Sequence, residues 1–195
     1  MSKKNSSVIL KNGFKDYTDI SKILLNFKKK LNKFKKDSFV VAVSGGPDSL
    51  ALVALTKACD YENNIKFKYV LINHNIRKNS SSEALDVKKM LKQHEIKLEV
   101  LENKIDINKN IQSFARSIRY DLLINYCKKK NIKSILTAHN LEDQVETFFI
   151  RLSRGSGLTG LSAMQKVTNL DKNIKLYRPL LDIKKKILIK ISKKV

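Results

Sequence analysis

Between residues 20 and 34 the apolar positions Ile20, Ile23, Leu24, Phe27, Leu31 and Phe34 recur at helical spacing, which predicts an amphipathic helix. Lysines at 28 to 30, 33, 35 and 36 gather toward its C-terminal end, where the helix dipole favours cations, so they read either as helix-end charges or as a basic ridge. The period then shortens. FVVAV (39 to 43) is a short, β-branched apolar run closed by SGGPDS, the pattern of a buried strand entering a tight turn, with a helix expected from about 49 to 60. The alternation recurs. FKYVLIN (67 to 73) is a second strand, and Ser80 with Glu83 spaces like a capping box opening a helix to about 94. KLEVLE (97 to 102) is a third strand, followed by a helix at 110 to 130. IKSILT (132 to 137) is a fourth, feeding a helix from 141 to 153. Four strands separated by helices predict an α/β fold: a doubly wound parallel sheet with helices on both faces and ligands at the carboxyl ends of the strands.

Beyond that pattern, RGSGLTGL (154 to 161) is a break holding three of the six glycines. A short extended piece follows near Ile174 to Tyr177, then a Lys/Ile-rich helix at 183 to 194. Its Ile183, Ile187, Leu188 and Ile191 form a stripe that should pack against something. No internal repeat is visible.

Composition adds a partner class. Forty Lys plus Arg against eighteen Asp plus Glu leave a formal charge of +22, which points to a polyanion, nucleic acid first. A plainer source is compositional bias, since only six of those cations are Arg. Cys59 and Cys127 lie too far apart for a CxxC pair, and two cysteines in a chain of 195 residues suit a reducing cytoplasm. The first residues lack a secretory apolar stretch, and no apolar run approaches the roughly 18 residues of a membrane span, so a cytoplasmic protein without a membrane partner is expected.

SGGPDS (44 to 49) sits between a predicted strand and a predicted helix, where backbone N–H groups and a positive helix end can hold phosphate. Gly45 and Gly46 let the backbone approach an anion, Pro47 follows them in the turn, and Ser44 and Ser49 add hydroxyl donors. Asp48 would repel phosphates unless a divalent cation lay between, so it is a candidate Mg²⁺ ligand. The segment is not a Walker A motif. On the helix from 141, Asp143 and Glu146 can share a face, although acidic residues in a first turn are commonly dipole complements. His139, past the fourth strand, and His74 with Arg77, past the second, belong to the same sheet edge. Arg116 and Arg119 stand one helical turn apart, with the planar fork that suits phosphate. Arg151 and Arg154, beside RGSG, suit either RNA phosphate or a helix C-terminus.

SGGPDS after a first strand resembles the loop of the N-type ATP pyrophosphatase (PP-loop) family, which cleaves ATP between its α- and β-phosphates and adenylates a substrate oxygen. NHNIR (73 to 77), ARSIRY (115 to 120), TAHNLEDQVETFFIRLSRGSGLTGL (137 to 161) and RPLL (178 to 181) look like the lysidine synthetase branch, over roughly residues 39 to 181. The resemblance implies ATP and Mg²⁺ as cofactors and, as substrates, free L-lysine and isoleucine tRNA with a CAU anticodon. It also implies Asp48 and Asp143 at metal, and Asp143, Glu146 and Arg119 at substrate. Arg116 or Arg119 would serve catalysis, and the 44 to 49 loop with His74 and His139 would meet the nucleotide. The family's usual paired histidines and paired aspartates read here as His139, Asn140, Glu142 and Asp143, which leaves the roles of Asn140 and Glu142 open.

The implied organisation is a polar segment and basic helix at 1 to 37, a nucleotide-binding domain at 38 to 181, and the start of a truncated helical region at 182 to 195. In the family an essential arginine lies beyond that point, so lysine transfer is expected to be slow or absent in this chain while ATP binding survives. The alternatives are a tRNA thiolase, disfavoured by the missing CxxC, an amide-forming synthetase, or a non-catalytic nucleotide- or RNA-binding remnant. Oligomeric state, monomer or dimer, stays open.

Overall fold

The computed structural model describes residues 18–31, 38–59, 65–77, 79–104, 111–157 and 162–193. Expectations for the segment before 18, for the first helix beyond 31 and for residues 158–161 of the glycine-rich break lie outside the described residues. Helix α1 (Thr18–Leu31) buries Ile20, Leu24, Phe27 and Leu31, the stripe its spacing predicts. Lys30, at its basic end, reaches the Pro179 carbonyl at 2.8 Å and Asp182 at 2.9 Å, so this lysine ties helix to turn.

The α/β pattern follows as β1 (Ser38–Val43), α2 (Pro47–Cys59), β2 (Lys66–Asn73), α3 (Ser80–Gln93), β3 (Leu98–Glu102), α4 (Ile111–Lys130), β4 (Ser134–Leu136) and α5 (Leu141–Ser153). Then come β5 (Val167–Asp171), β6 (Ile174–Tyr177) and α6 (Lys185–Ser192). The sheet has six strands where four were expected, in the order β3-β2-β1-β4-β6-β5, with β5 antiparallel to β6 and the other pairs parallel. The added hairpin covers the flank of β4, which is only three residues long and would otherwise be an open edge. VTNLD carries no clean period-2 signal, so β5 was not legible in sequence.

Strand β1 divides the core by its pleat. Phe39, Val41 and Val43 face a cluster built with α1, α2, α3 and α6, whereas Val40 joins Val70, Leu123, Cys127 and Ile135 on the α4 side. Beside β1 the chain order reverses, since β2 and β3 lie on one side and β4 on the other. The crevice at the carboxyl ends of β1 and β4 is therefore the topological switch point.

Two helix starts differ from expectation. Ser80 is not the cap of α3: the cap is Asn79, with no side-chain hydrogen bond, and the Ser80/Glu83 box is not formed. A reciprocal box forms instead at α5, between Asn140 and Asp143. Helix α2 begins at Pro47, two residues earlier than expected, because proline's fixed φ suits the first helical position and its missing N–H leaves nothing unpaired there.

Helix α5 is turned inside out. No residue of it is fully buried; Val145, Phe148, Phe149, Ile150 and Leu152 are exposed, while Asp143, Gln144, Thr147 and Arg151 are half-buried. Gln144 exchanges two hydrogen bonds with the Met164 backbone, and Arg151 donates to the Ser162 carbonyl. The polar face is occupied by these ties and by Asp143, which leaves the apolar face outward.

The stripe at 183 to 191 folds back. Leu188 and Ile191 are completely buried against the same core as Leu52 and Leu55 of α2, with Ile183 and Ile187 packed beside them. Leu188→Ala should therefore cost about 2–5 kcal/mol of unfolding free energy in a denaturant titration. A change below about 0.5 kcal/mol would mean that α6 does not contribute to this core.

Candidate active site

The loop between β1 and α2 is organised around one hydroxyl. Ser49 Oγ donates to the Gly46 carbonyl at 2.9 Å and lies 3.2 Å from the Ser44 N–H and 3.1 Å from Ser44 Oγ, both of which donate to it. Ser49 is buried and its hydroxyl is occupied inside the loop. It braces the turn, so its proton goes to the Gly46 carbonyl and not to the phosphate the loop pattern suggests. Gly45 has φ +81°, and a Cβ there would sit 2.9 Å from Val87 Cγ2 of α3. Glycine is required twice over, by the backbone and by the helix leaning on it. The opening N–H groups of α2, with none at Pro47, have no acceptor within the helix, the property an anion site at a helix start needs.

This loop forms one wall of a cleft of about 750 Å³. Ser44, Gly45, Asp48, Ser49, His74, Arg77, Arg119, His139 and Asp143 all line it, so most of the residues singled out in sequence converge. Gly46 and Pro47 belong to the loop but do not line the cleft. Arg116 is not a lining residue either; its guanidinium lies 5.4 Å from the ring centroid of Tyr120, which is one. Glu146 is exposed and does not line the cleft, so it does not join Asp143 there. Arg154 caps the end of α5.

The cleft has an acidic and a basic side. Asp48 Oδ1 is buried without a hydrogen-bond partner. Burial raises the Asp48 pKa; Lys185 opposes the shift, Asp143 and Glu142 add to it, and the Asn140 amide opposes it. That amide acts by proximity, since Asn140 Nδ2 and Asp48 Oδ1 are both unpartnered and so do not meet as a hydrogen bond. Asp143 uses Oδ2 in the α5 capping box, at 2.9 Å from the Asn140 N–H. A buried orphan carboxylate oxygen beside a second carboxylate fits a hard cation. Two protein oxygens suit Mg²⁺, which keeps waters and takes the rest of its shell from substrate phosphates. No group of three or more metal-ligating side chains occurs among the described residues.

On the basic side Arg119 lines the cleft with His74 and His139, and Arg178, which does not line it, lies close enough for its charge to act on His139. Arg178, of RPLL, is buried, donates through Nη1 to the Gln165 carbonyl at 2.8 Å and Thr168 Oγ1 at 2.7 Å, and has an unpartnered Nε. RPLL is one of the motifs that carry the family resemblance, and only the structure brings Arg178 close to His139. His74 has both ring nitrogens buried and unpartnered, and burial followed by the Arg119 charge lowers its pKa. Its loop is held by amides: Asn73 Oδ1 accepts from the Asn75 N–H at 3.1 Å, and Asn103 Nδ2 donates to the His74 carbonyl at 3.3 Å. Thr137 Oγ1 lies 2.9 Å from His139 Nδ1.

Burial, then the Arg178 charge, push the His139 pKa down to about 4, with Asp143 opposing and Arg116 and Arg119 assisting. The folded protein thus resists a proton that the unfolded chain accepts below its ordinary 6.5. His139 costs no stability above pH 6.5; as pH falls from there toward 4 it destabilises the fold by up to about 1.4 kcal/mol per pH unit. The difference in unfolding free energy between the parent and His139→Gln should show that slope in denaturant titrations across the window. A pH-independent difference would mean that His139 titrates normally.

Residues 19–195 match the family model described as a PP-loop domain. Similar proteins include the tRNA(Ile)-lysidine synthase of Zymomonas mobilis, 37% identical over 158 residues, covering 79% of this chain and 47% of that one. The protein of the same name from Wolbachia pipientis is 39% identical over 163 residues, covering 82% of this chain and 38% of its own length. This chain therefore spans less than half the length of these relatives. Among solved structures, the fold is similar to the U34-tRNA thiolase NcsA of Methanococcus maripaludis (TM-score 0.74, 18% identity, 90% of this chain and 63% of that one). It is also similar to Candida glabrata FMN adenylyltransferase (TM-score 0.61, 13% identity, 95% and 65%).

Proposed function

We propose, for a chain that belongs to the PP-loop domain family and so uses ATP, that it adenylates the C2 oxygen of the wobble cytidine in isoleucine tRNA with a CAU anticodon, and that an amine of free lysine then displaces AMP. The substrate reading rests on the likeness to lysidine synthases at 37–39% identity. The chemical reading rests on the orphan Asp48 oxygen at the mouth of the Gly45 loop. Asp48 and Asp143 would hold Mg²⁺, which neutralises phosphate charge. The N–H groups opening α2 receive the departing pyrophosphate, and Arg119, on the basic side of the cleft, meets the nucleotide or the RNA. A cytidine in an anticodon loop is already unpaired, so the cleft need not melt a duplex to reach it. The +22 charge suits that partner, and the reaction belongs to the cytoplasm.

A thiolase reading is less well supported. Cys59 and Cys127 are both buried in the core, and burial pushes the Cys127 thiol up to about 12, which is unsuited to nucleophilic sulfur chemistry.

Pyrophosphate release is the test, measured on this chain with ATP and Mg²⁺, with and without tRNA transcript and lysine. Release that requires the CAU-containing transcript is the expected pattern, and any AMP release should require lysine as well. Turnover that ignores RNA and instead follows a carboxylate and ammonia would move the chain to the amide-forming synthetases.

A further inference from the structure

Helix α6 is poorly specified by its own sequence. It has eight residues, its cap position is Lys184 with no side-chain hydrogen bond, and its first turn holds Lys185 and Lys186 with no acidic residue, against the dipole. What its N-terminus lacks comes from 43 residues away: Glu142 Oε2 accepts from the Lys185 N–H at 2.8 Å. Beside it the Leu141 N–H donates to the Ile183 carbonyl at 3.1 Å, so two bonds join the start of α5 to the approach of α6. Helix α6 is in turn packed on α2 through Leu188 and Ile191, and α2 carries Asp48 in its first turn. Asp143 follows Glu142 directly. The two carboxylates proposed to hold Mg²⁺ therefore sit on helices that α6 bridges, in addition to the direct pairing of the β1 and β4 strands that precede them, and Glu142 is the side chain in that bridge.

We propose that Glu142 is a positioning residue: it caps α6 across the fold and thereby sets Asp143 against Asp48, without itself binding metal or substrate. The claim rests on the reading of Asp48 and Asp143 as the Mg²⁺ site. It makes an unusual demand on substitutions. Glu142→Gln keeps the reach and the accepting oxygen but loses the charge, whereas Glu142→Asp keeps the charge and loses the reach. A cap tolerates the first and fails with the second; a metal ligand does the reverse.

Two measurements on the whole chain decide it. Amide hydrogen exchange at residues 185–188 reads the cap with no metal or ATP present, and Mn²⁺ titration by electron paramagnetic resonance in the presence of ATP reads the site. Glu142→Gln should stay within about threefold of the parent in both, while Glu142→Asp and Glu142→Ala should each speed exchange and weaken Mn²⁺ binding about tenfold. Loss of Mn²⁺ affinity in Glu142→Gln with retention in Glu142→Asp would make Glu142 a ligand and overturn the proposal. Faster exchange in Glu142→Asp with unchanged Mn²⁺ affinity would overturn the positioning role. A parent protein that binds no Mn²⁺ has a separate signature: it overturns the metal reading itself, and the positioning claim with it.

Discussion

Asp48→Asn protein is expected to fold, to retain ATP binding, and to lose Mg²⁺-dependent pyrophosphate release by on the order of 10²-fold or more, the kinetic equivalent of several kcal/mol of lost charge stabilisation. The same substitution should raise the thermal midpoint of the metal-free protein. Burial outweighs the opposing Lys185 charge and holds the Asp48 pKa above its ordinary value, and Oδ1 has no hydrogen-bond partner. A carboxyl whose folded pKa is raised destabilises the fold increasingly as pH rises from the unfolded pKa through the folded one. At neutral pH the ionised group is a standing cost that the amide removes. The gain should vanish at pH values below the ordinary carboxyl range, where both states are protonated. Calorimetry at neutral and acidic pH, alongside a pyrophosphate assay, checks both halves. Unchanged pyrophosphate release would remove Asp48 from the metal site, and a lower midpoint at neutral pH would show that its oxygen has a stabilising partner.

Gly45→Ala should damage stability and nucleotide binding together. A left-handed φ of +81° costs an L-residue roughly 1–2 kcal/mol, and the new methyl would lie 2.9 Å from Val87 Cγ2. Overpacking of that kind costs about 1–3 kcal/mol unless α3 shifts. Because the glycine sits in the loop proposed to cradle phosphate, any shift that relieves the contact also moves the N–H groups that would face the anion. Combining the substitution with Val87→Ala removes the clash and leaves the φ penalty, so the double variant should recover part of the lost ATP affinity and stability. Full recovery would show that backbone conformation does not matter at this position. No recovery would show that the contact with α3 does not.

Much of this architecture was legible because it is local. The strand-to-loop junction at 43 to 49 is written in adjacent residues, with β-branched apolar positions, then glycines, then a proline that starts a helix. The four strands β1 to β4 and their intervening helices follow from apolar periodicity alone. Convergence of His74, His139 and Asp143 on that loop also followed, since in a parallel sheet every strand delivers its carboxyl end to one edge, whereas Arg119, in the middle of α4, was placed there only by the family resemblance.

The features not legible in the sequence depend on which polar atoms folding brings together, some within one turn and others far along the chain. Whether Ser49 faces phosphate or braces the loop is decided by the Gly46 carbonyl and the Ser44 N–H, which one turn brings to its hydroxyl. Asn140, ambiguous in sequence, caps its own helix through the local box with Asp143, whereas the task of Glu142 is assignable only once α5 and α6 lie side by side and it reaches a helix 43 residues away. Glu146 stands at the helical spacing that would pair it with Asp143 but is exposed, because α5 is oriented by its ties to Met164 and Ser162. Arg178 comes within reach of His139 because β6 inserts beside β4, a pairing that no local pattern announces. Sequence by itself determined the elements, the phosphate loop and the edge where chemistry gathers, since periodicity and turn chemistry act over a few residues. Only tertiary structure decided which polar atoms are spent on the fold and which remain free for a ligand, because hydrogen bonds and burial are properties of pairs that folding brings together.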